Sequence, residues 1–181
     1  MLNRAKDICF RILLNQFSNR LYSENNRQYW ENIFEMYKGR RGFVIANGPS
    51  LKINNLDKLT KEITIASNKI YLAFEQTDWR PSYFTICDKV LAKKINNNLY
   101  KNVSVVHAPI DIGVDFRNVN IYFWKSLPSP KSMPKRKIFF SNNLSKGAYG
   151  GYSITYQNLQ LAMHLGLNPI YIIGCDHSYS G

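Results

Sequence analysis

The sequence lacks the features that mark a membrane span, a disulfide framework or a metal centre. No uninterrupted apolar run approaches the roughly 20 residues that a transmembrane helix needs. Cysteine is rare: Cys9, Cys87 and Cys175 are odd in number and lack zinc-site spacing, so we expect reduced thiols and no bound metal. The charged N-terminus is not followed by a signal-peptide core, which predicts a cytoplasmic protein.

Acidic residues are also scarce. The chain has 181 residues, with 24 Lys and Arg against 12 Asp and Glu, which gives a formal net charge of +12. This balance favours anionic partners such as nucleotides, phosphosugars, nucleic acid or an anionic membrane surface. Because the basic residues are scattered along the chain and not gathered in one block, we expect no nucleic-acid partner.

A short apolar run at residues 43–46 has the length of a strand and stops at a polar turn, Asn47-Gly48-Pro49-Ser50. Gly48 permits close approach of another backbone segment, and Pro49 restricts the turn. Asn47 and Ser50 add small hydrogen-bonding side chains. Open α/β sheets bind ligands where a buried strand ends in such a turn. The alternative is a turn without function, since all four residues favour turns. The turn is neither a Walker loop nor a dinucleotide fingerprint.

Further apolar runs of strand length alternate with segments that have helical spacing, and these runs cover residues 63–67, 83–87, 103–107, 119–124 and 169–174. The clearest helix is predicted over residues 152–165, where Gly166 ends it. This alternation predicts an α/β fold, namely a three-layer, Rossmann-like, mainly parallel sheet. The last run is continuously apolar, which is typical of a strand buried on both faces, and we expect Cys87 and Cys175 to be buried too.

The first 40 residues are predicted to form a helical extension, and residues 41–181 the Rossmann-like domain. The second helix of the extension is expected at residues 27–37, with Trp30, Phe34 and Tyr37 as its apolar stripe. The favoured interpretation is that this extension packs on the main domain or on a partner subunit of a homo-oligomer. The alternative is a basic amphipathic surface that contacts the inner membrane.

Polar side chains follow four of the predicted strands, and the residues concerned are Asn47, Ser50, Asn68, Asp88, Asp176 and His177. If the sheet is parallel, these strand ends share one edge. A glycine-rich turn containing Gly150 and Gly151 opens the long helix, whose amide end attracts anions. The combination predicts a crevice for a nucleotide or a phosphosugar.

Each of these residues has a structural alternative. Asn68 or Asp88 could cap the helix that follows it, and Asp176 could hold a turn through the backbone. We expect His107 and His164 to be structural. His177, which stands beside a carboxylate at a strand end, is the best candidate for a general base.

Four segments carry a resemblance to a known family: Ile-Ala-Asn-Gly-Pro-Ser-Leu, Ala-Ser-Asn-Lys-Ile-Tyr-Leu-Ala-Phe, Arg-Pro-Ser-Tyr-Phe-Thr-Ile-Cys-Asp and Ile-Tyr-Ile-Ile-Gly-Cys-Asp-His-Ser-Tyr. With these segments the chain resembles the MptE-like family, which includes flagellin motility accessory factors and archaeal 6-hydroxymethylpterin diphosphokinases. That family is similar in turn to bacterial sialyltransferases that use a CMP-activated sugar. The resemblance covers roughly residues 41–179 and none of the N-terminal helices.

The resemblance implies roles for the site residues. In the sialyltransferases the Asn-Gly-Pro-Ser turn holds the nucleotide, and here that turn is Asn47, Gly48, Pro49 and Ser50. The donor is also contacted by an Asn after the next strand and by the small-residue turn before the long helix, which correspond here to Asn68, Gly150, Gly151, Tyr152 and Ser153. Asp176 matches the acid that ends the last strand.

Two departures from the sialyltransferase pattern matter. Where the sialyltransferases have Asn-Pro after the third strand, this chain has Asp88-Lys89, which implies a different sugar or a metal-bound diphosphate. Their catalytic histidine also lies beyond the last strand, whereas this sequence ends at Gly181. Either the chain is a C-terminally truncated piece, which is the favoured interpretation, or His177 and Asp176 serve as the catalytic residues.

The leading functional hypothesis is therefore a glycosyltransferase-like enzyme that uses a nucleotide-activated, CMP-linked sugar in surface glycan or flagellin glycosylation. Its partners would be the nucleotide-sugar donor and a glycan or glycoprotein acceptor, and it would need no further cofactor and no metal site. The alternatives are a Mg²⁺-dependent 6-hydroxymethylpterin diphosphokinase, with Asp88 and Asp176 as metal ligands, and a non-catalytic nucleotide-binding fragment.

Overall fold

A six-stranded sheet lies at the centre of the molecule, and its strands are parallel at every pairing in the described residues. The structure is a computed structural model, and it describes residues 24–94, 103–114, 120–127, 139–151 and 153–176. The strands are β1 (Gly42–Ile45), β2 (Ile63–Ser67), β3 (Tyr83–Thr85), β4 (Val106–Pro109), β5 (Ile121–Trp124) and β8 (Ile170–Ile173), in the order β5-β4-β3-β2-β1-β8. The predicted α/β fold with a mainly parallel sheet is confirmed.

In the described part of the chain, one α-helix precedes the first strand, and two further α-helices and several 3-10 segments lie between the strands. The helices are α1 (Glu24–Asn32), α2 (Lys89–Lys94) and α3 (Ile154–His164), and the 3-10 segments are Ile53–Asn55, Asp57–Leu59, Asn68–Glu75 and Ile110–Ile112. Two short strands, β6 (Ser126–Leu127) and β7 (Ala148–Tyr149), pair with each other in a separate parallel ladder. No helix in the described ranges is long and apolar enough to cross a bilayer.

The sheet is buried by a separate apolar cluster on each face. Neighbouring residues of a strand point to opposite faces, so Val44 belongs to one cluster and Ile45 to the other. The Val44 cluster contains Trp30 from α1 and Leu161 from α3, whereas the Ile45 cluster lies under the 3-10 segments and α2. Such coverage on both faces is what a parallel sheet requires.

Helix α1 closes the β5 edge of the sheet. The side-chain amide of Asn26 donates to the Phe123 carbonyl at 2.6 Å and accepts from the Phe123 N–H at 2.8 Å, so it substitutes for a neighbouring strand. The indole of Trp30 donates to the same carbonyl at 2.7 Å. The described part of the predicted extension is therefore packed against the sheet, while the boundary at residue 40 stays a prediction.

Several predicted boundaries were wrong. The helix predicted at residues 27–37 ends at Asn32, and the turns that follow leave Phe34 40% exposed, so this residue does not continue the buried stripe. The first predicted helix of the extension lies outside the described residues. So do most of residues 125–137, where the content of Pro, Ser and Lys predicts a basic loop.

The last strand was predicted to be buried and is not. Tyr171 and Ile172 are each 47% exposed, because β8 pairs only with β1 among the described residues. Cys175, which follows β8, is exposed, and Cys87 is half-buried. The continuous apolar composition of residues 169–174 therefore does not indicate a central position in the described sheet.

His107 and His164 lie in the core, as predicted for structural residues. In β4, the ring of His107 is fully buried and hydrogen-bonded through Nε2 to the Tyr29 hydroxyl at 2.6 Å. Burial lowers the pKa of His107 from 6.5 to about 4, although the Phe84 carbonyl beside Nδ1 opposes the shift. Burial lowers the pKa of His164 in the same way. Both rings are therefore neutral in the folded protein at pH 7.

These pKa values predict acid destabilisation. Because the folded-state pKa of His107 lies below its unfolded value, stability is fully present above pH 6.5 and is lost as the pH falls toward about 4. The full shift corresponds to roughly 3 kcal/mol for His107. In urea unfolding between pH 7 and 4, His107→Gln should lose about half of the histidine-dependent slope, with His164 supplying the rest. An unchanged slope in a folded His107→Gln variant would contradict the assignment.

Candidate functional site

The strand order places a crevice between the carboxyl ends of β1 and β8. From β1 to β5 each new strand is added on the same side, and the chain then returns to add β8 on the other side of β1. At such a reversal the connections leave the sheet in opposite directions, which opens a crevice where ligands bind in open α/β sheets. The Asn-Gly-Pro-Ser turn and Asp176 lie on its two sides.

Hydrogen bonds tie the two sides together. The N–H of Gly48 donates to the Gly174 carbonyl at 2.8 Å, and the N–H of Ser50 donates to Asp176 Oδ2 at 2.9 Å. The hydroxyl of Ser50, followed by its N–H, lowers the pKa of Asp176, so this carboxylate is ionised at neutral pH. We call this set of contacts between residues 48–50 and 174–176 the clasp.

Gly48 is needed for the close approach of the two segments. A Cβ at this position would lie 2.7 Å from the Gly174 carbonyl oxygen and in contact with the Asp176 carboxylate. The close backbone approach predicted at Gly48 is therefore made to the segment that follows β8. Gly174 has a φ of +67°, which favours glycine and turns the chain toward the clasp.

A cleft of about 530 Å³ adjoins the clasp on the face covered by the 3-10 segments. Apolar side chains and cationic groups share its lining, which includes Phe43, Leu51, Ile173, Lys52, Lys58 and Asp176. Lys58 donates to Asn55 Oδ1 at 3.1 Å, which keeps its ammonium at the rim. The cleft is large enough for part of a nucleotide, and its cationic rim suits an anionic ligand.

Asn47 and Asn68 lie at neighbouring strand ends. The side-chain amide of Asn47 donates to the Ser67 carbonyl at 3.0 Å and so joins the β1 turn to the end of β2. Asn68 has a φ of +52°, and its buried Oδ1 has no partner among the described residues. A left-handed Asn at a strand end is a local backbone strain of the kind found at ligand sites, and its buried side-chain oxygen is available to accept a hydrogen bond.

Asp88 has the structural role that we considered as an alternative to ligand binding, namely capping the helix that follows it. Its Oδ1 accepts the N–H groups of Val90 at 2.8 Å and Leu91 at 2.9 Å, so it caps α2. Asp88 follows β3 and Asp176 follows β8, and these strands are three spacings apart, or roughly 14 Å. The two carboxylates are therefore too far apart to bind one Mg²⁺ together in this arrangement.

The glycine turn and the start of α3 lie at the same edge as the clasp. Because Gly42 pairs with Ile170, the segment between α3 and β8 is at the amino edge, and α3 must begin at the carboxyl edge. Ser153 occupies the N-cap position, but its side chain makes no capping hydrogen bond. A Cβ at Gly151 would lie 2.5 Å from the Tyr156 ring, whereas Gly150 has open space around it. The first-turn amides of α3 thus face the edge without a cap from the Ser153 side chain.

Gln160 fixes the position of this glycine turn. Its Oε1 accepts from the N–H groups of Ser141 at 3.0 Å and Tyr149 at 2.9 Å, and its Nε2 donates to the Tyr149 carbonyl at 2.9 Å. The side chain is fully buried. Residues 139–151 are therefore held against α3 by a polar contact that the sequence patterns did not indicate.

Ser67 and Asn158 were also missed by the sequence patterns. The Ser67 hydroxyl and Asn158 Nδ2 are both buried without a hydrogen-bond partner among the described residues. The signals in the sequence are weak: Ser67 is a polar residue at the end of an apolar strand, and Asn158 is a polar residue on the buried face of an amphipathic helix. Tyr152 and His177 lie outside the described residues, so their predicted roles stay predictions.

The family model described as 6-hydroxymethylpterin diphosphokinase MptE-like matches residues 15–181. The chain belongs to the MptE-like family. The predicted resemblance is confirmed, and the match starts upstream of residue 41, so it includes part of the N-terminal extension. Neither the curated proteins nor the solved structures gave a match. The family name denotes a diphosphokinase and hence indicates a transferase, and the predicted enzyme class is confirmed at that level. Across the described ranges, no three His, Cys, Asp or Glu side chains are grouped as metal ligands.

Because the clasp is closely packed at Gly48, we expect Gly48→Ala to destabilise the protein much more than Gly150→Ala does. Gly48→Ala should destabilise the protein by about 1–3 kcal/mol, because its Cβ would meet the Gly174 backbone, which cannot move away without breaking β8 contacts. Gly150→Ala should change stability little, because nothing lies within 4 Å of its Cβ. Thermal unfolding of both variants measures the difference, and equal midpoints would show that the clasp is not tightly packed.

Proposed function

We propose that this MptE-like protein is a transferase that binds a nucleotide-activated sugar, CMP-linked in the favoured version, and transfers the sugar to a glycan or glycoprotein acceptor. The observation that supports this most directly is the clasp, which holds the Asn-Gly-Pro-Ser turn in a fixed position beside a cleft with a cationic rim. A fixed turn at the reversal of strand order is the place where open α/β sheets bind nucleotides.

The geometry suggests a division of roles within the site. The lysines at the cleft rim lie on the opposite face of the sheet from α3 and add positive potential that attracts the donor. The first-turn amides of α3, which the Ser153 side chain does not cap, supply positive charge for the phosphate of the donor. The same groups would stabilise the negative charge that develops on the phosphate as the bond to the anomeric carbon breaks. Charge stabilisation by fixed amides suits a CMP leaving group, which has a single phosphate.

A base must remove the proton of the acceptor hydroxyl as it attacks the anomeric carbon. Asp176 is poorly suited to this step, because its hydrogen bonds with Ser50 lower its pKa and weaken it as a base. We assign Asp176 to positioning of the turn. His177, the next residue, is retained as the candidate base because its unperturbed pKa lies near the working pH.

The family match favours a second candidate function. The family is described as 6-hydroxymethylpterin diphosphokinase-like, and such an enzyme would transfer a diphosphate from ATP to a pterin alcohol. Such a transfer normally uses Mg²⁺ held partly by carboxylates. Asp88 and Asp176 could each bind a metal separately or with ligands from the substrate, but the strand spacing argues against one ion shared between them.

Ligand-induced stabilisation should separate the two functions. We expect CMP to raise the melting temperature whether or not Mg²⁺ is present, and CDP, GDP and UDP to do so less. A ligand at about a hundred times its Kd adds roughly 2.7 kcal/mol, or about 5–10 °C for a chain of this size. A shift seen only with ATP and Mg²⁺ would overturn the glycosyltransferase proposal in favour of the diphosphokinase.

Removal of the Asn47 side chain should weaken nucleotide binding without unfolding the protein. Asn47 is exposed and makes one hydrogen bond within the fold, to Ser67, so Asn47→Ala should cost about 1 kcal/mol or less of stability. We expect the Kd for CMP to rise about tenfold in calorimetric titration. Asn32→Ala, at the exposed end of α1, is the matched control and should bind like the wild type. Unchanged affinity in folded Asn47→Ala would remove this residue from the site.

A further inference from the structure

Beneath α3, at the carboxyl ends of β2 and β3, lies a small group of buried polar side chains, which we call the polar floor: Ser67, Thr85 and Asn158. Ser67 is 1% exposed, and the other two are 0% exposed. Ser67 and Thr85 are paired in register, so their side chains leave the sheet on the same face. The Thr85 hydroxyl and Asn158 Oδ1 are 2.6 Å apart.

The hydrogen bonding of the polar floor is incomplete. Asn158 Nδ2 and the Ser67 hydroxyl have no partner among the described residues. Rotating the Asn158 amide does not repair this, because Nδ2 would then donate to the Thr85 hydroxyl and Oδ1 would be left open. A buried polar group without a partner destabilises a fold, so two such groups close together favour a partner from outside the described residues.

The position of the polar floor connects it to the candidate site. Ser67 is the last residue of β2, and its carbonyl accepts the hydrogen bond from Asn47. Asn158 lies one turn into α3 from the uncapped start of the helix. The open groups thus lie at the same edge of the sheet as the Asn-Gly-Pro-Ser turn, on the face covered by α3, whose first turn is proposed to hold the phosphate.

We infer that the polar floor binds the uncharged nucleoside part of the ligand, through Ser67 and Asn158, and selects it by hydrogen bonding. This inference rests on the proposed nucleotide site and adds residues and a binding mode to it. A phosphate is the wrong occupant, because the floor offers only neutral side chains and a buried dianion would lack a compensating charge. The base edge and the ribose hydroxyls present donors and acceptors that match an amide and a hydroxyl.

The test replaces Thr85 and Asn158, the two side chains of the polar floor that are hydrogen-bonded to each other. In the double variant Thr85→Val/Asn158→Leu both partners become apolar with similar shapes, so no new unpaired group is created. We expect an unchanged or higher melting temperature without ligand, together with at least a tenfold rise in the Kd for CMP. The Kd for cytidine should rise by the same factor, and weak binding of inorganic phosphate should not change.

Two further variants make the test specific. Ser67→Ala removes only the open hydroxyl, so the variant should keep its stability and bind CMP at least threefold more weakly. Thr64→Val is the matched control, because this buried threonine on β2 accepts a hydrogen bond from the Ser82 N–H at 3.1 Å at the opposite edge of the sheet. The control should lower the melting temperature and leave the Kd for CMP unchanged.

The outcomes separate this inference from the proposed function. If the wild type binds CMP and all floor variants bind it equally well, the inference is overturned and the nucleotide site remains. If the wild type binds no nucleotide, the proposed function fails and the inference fails with it. If the double variant is too unstable to titrate, Ser67→Ala decides: weaker CMP and cytidine binding supports the floor, and unchanged binding overturns it.

Discussion

The pairing of β8 with β1 is the constraint on which the site depends. Without it, the strands from β1 to β5 would form a sheet in which the Asn-Gly-Pro-Ser turn ends at an open edge. With it, residues 42–45 align with residues 170–173, and the next residues of each strand meet as the clasp. The hydrogen bonds between two paired strands fix which residues lie opposite each other. The pairing of β1 with β8 therefore also sets the positions of Gly48 and Asp176, which follow these strands.

The same edge of the sheet carries most of the groups that are costly for stability. Asn68 adopts a left-handed conformation there, and the buried polar atoms of Ser67, Asn68 and Asn158 lack partners among the described residues. Trp124 Nε1, at the end of β5, is also without a partner among the described residues, as are Trp79 Nε1 and His164 Nε2 elsewhere in the core. The core otherwise consists of two apolar clusters and of histidines kept neutral by burial. Concentration of unfavourable features at one edge, within an otherwise consistent fold, is expected where function opposes stability.

Polar side chains inside the fold position the elements around that edge. The side chain of Asn26 hydrogen-bonds to the N–H and C=O of Phe123 at the outer edge of β5, as a neighbouring strand would. Gln160 holds the glycine turn against α3. Both are buried, and both satisfy backbone groups that would otherwise lack partners. They allow irregular segments to keep fixed positions, which a site assembled from loops requires.

Sequence by itself determined the fold class, the approximate strands and the polar strand ends, because hydrophobic periodicity and turn chemistry are local properties. It also carried the family motifs, including the turn at Asn47 and the ending at Asp176. The capping of α2 by Asp88 is a local contact with residues two and three positions along, and the sequence had already offered it as an alternative. Only the tertiary structure decided that Ser50 bonds to Asp176 and that β8 is half-exposed. These depend on strand order and on contacts between residues more than a hundred positions apart, which no local pattern encodes. The polar floor belongs to the same class, since Asn158 reaches Thr85, the neighbour of Ser67 on the sheet, only when α3 packs on it.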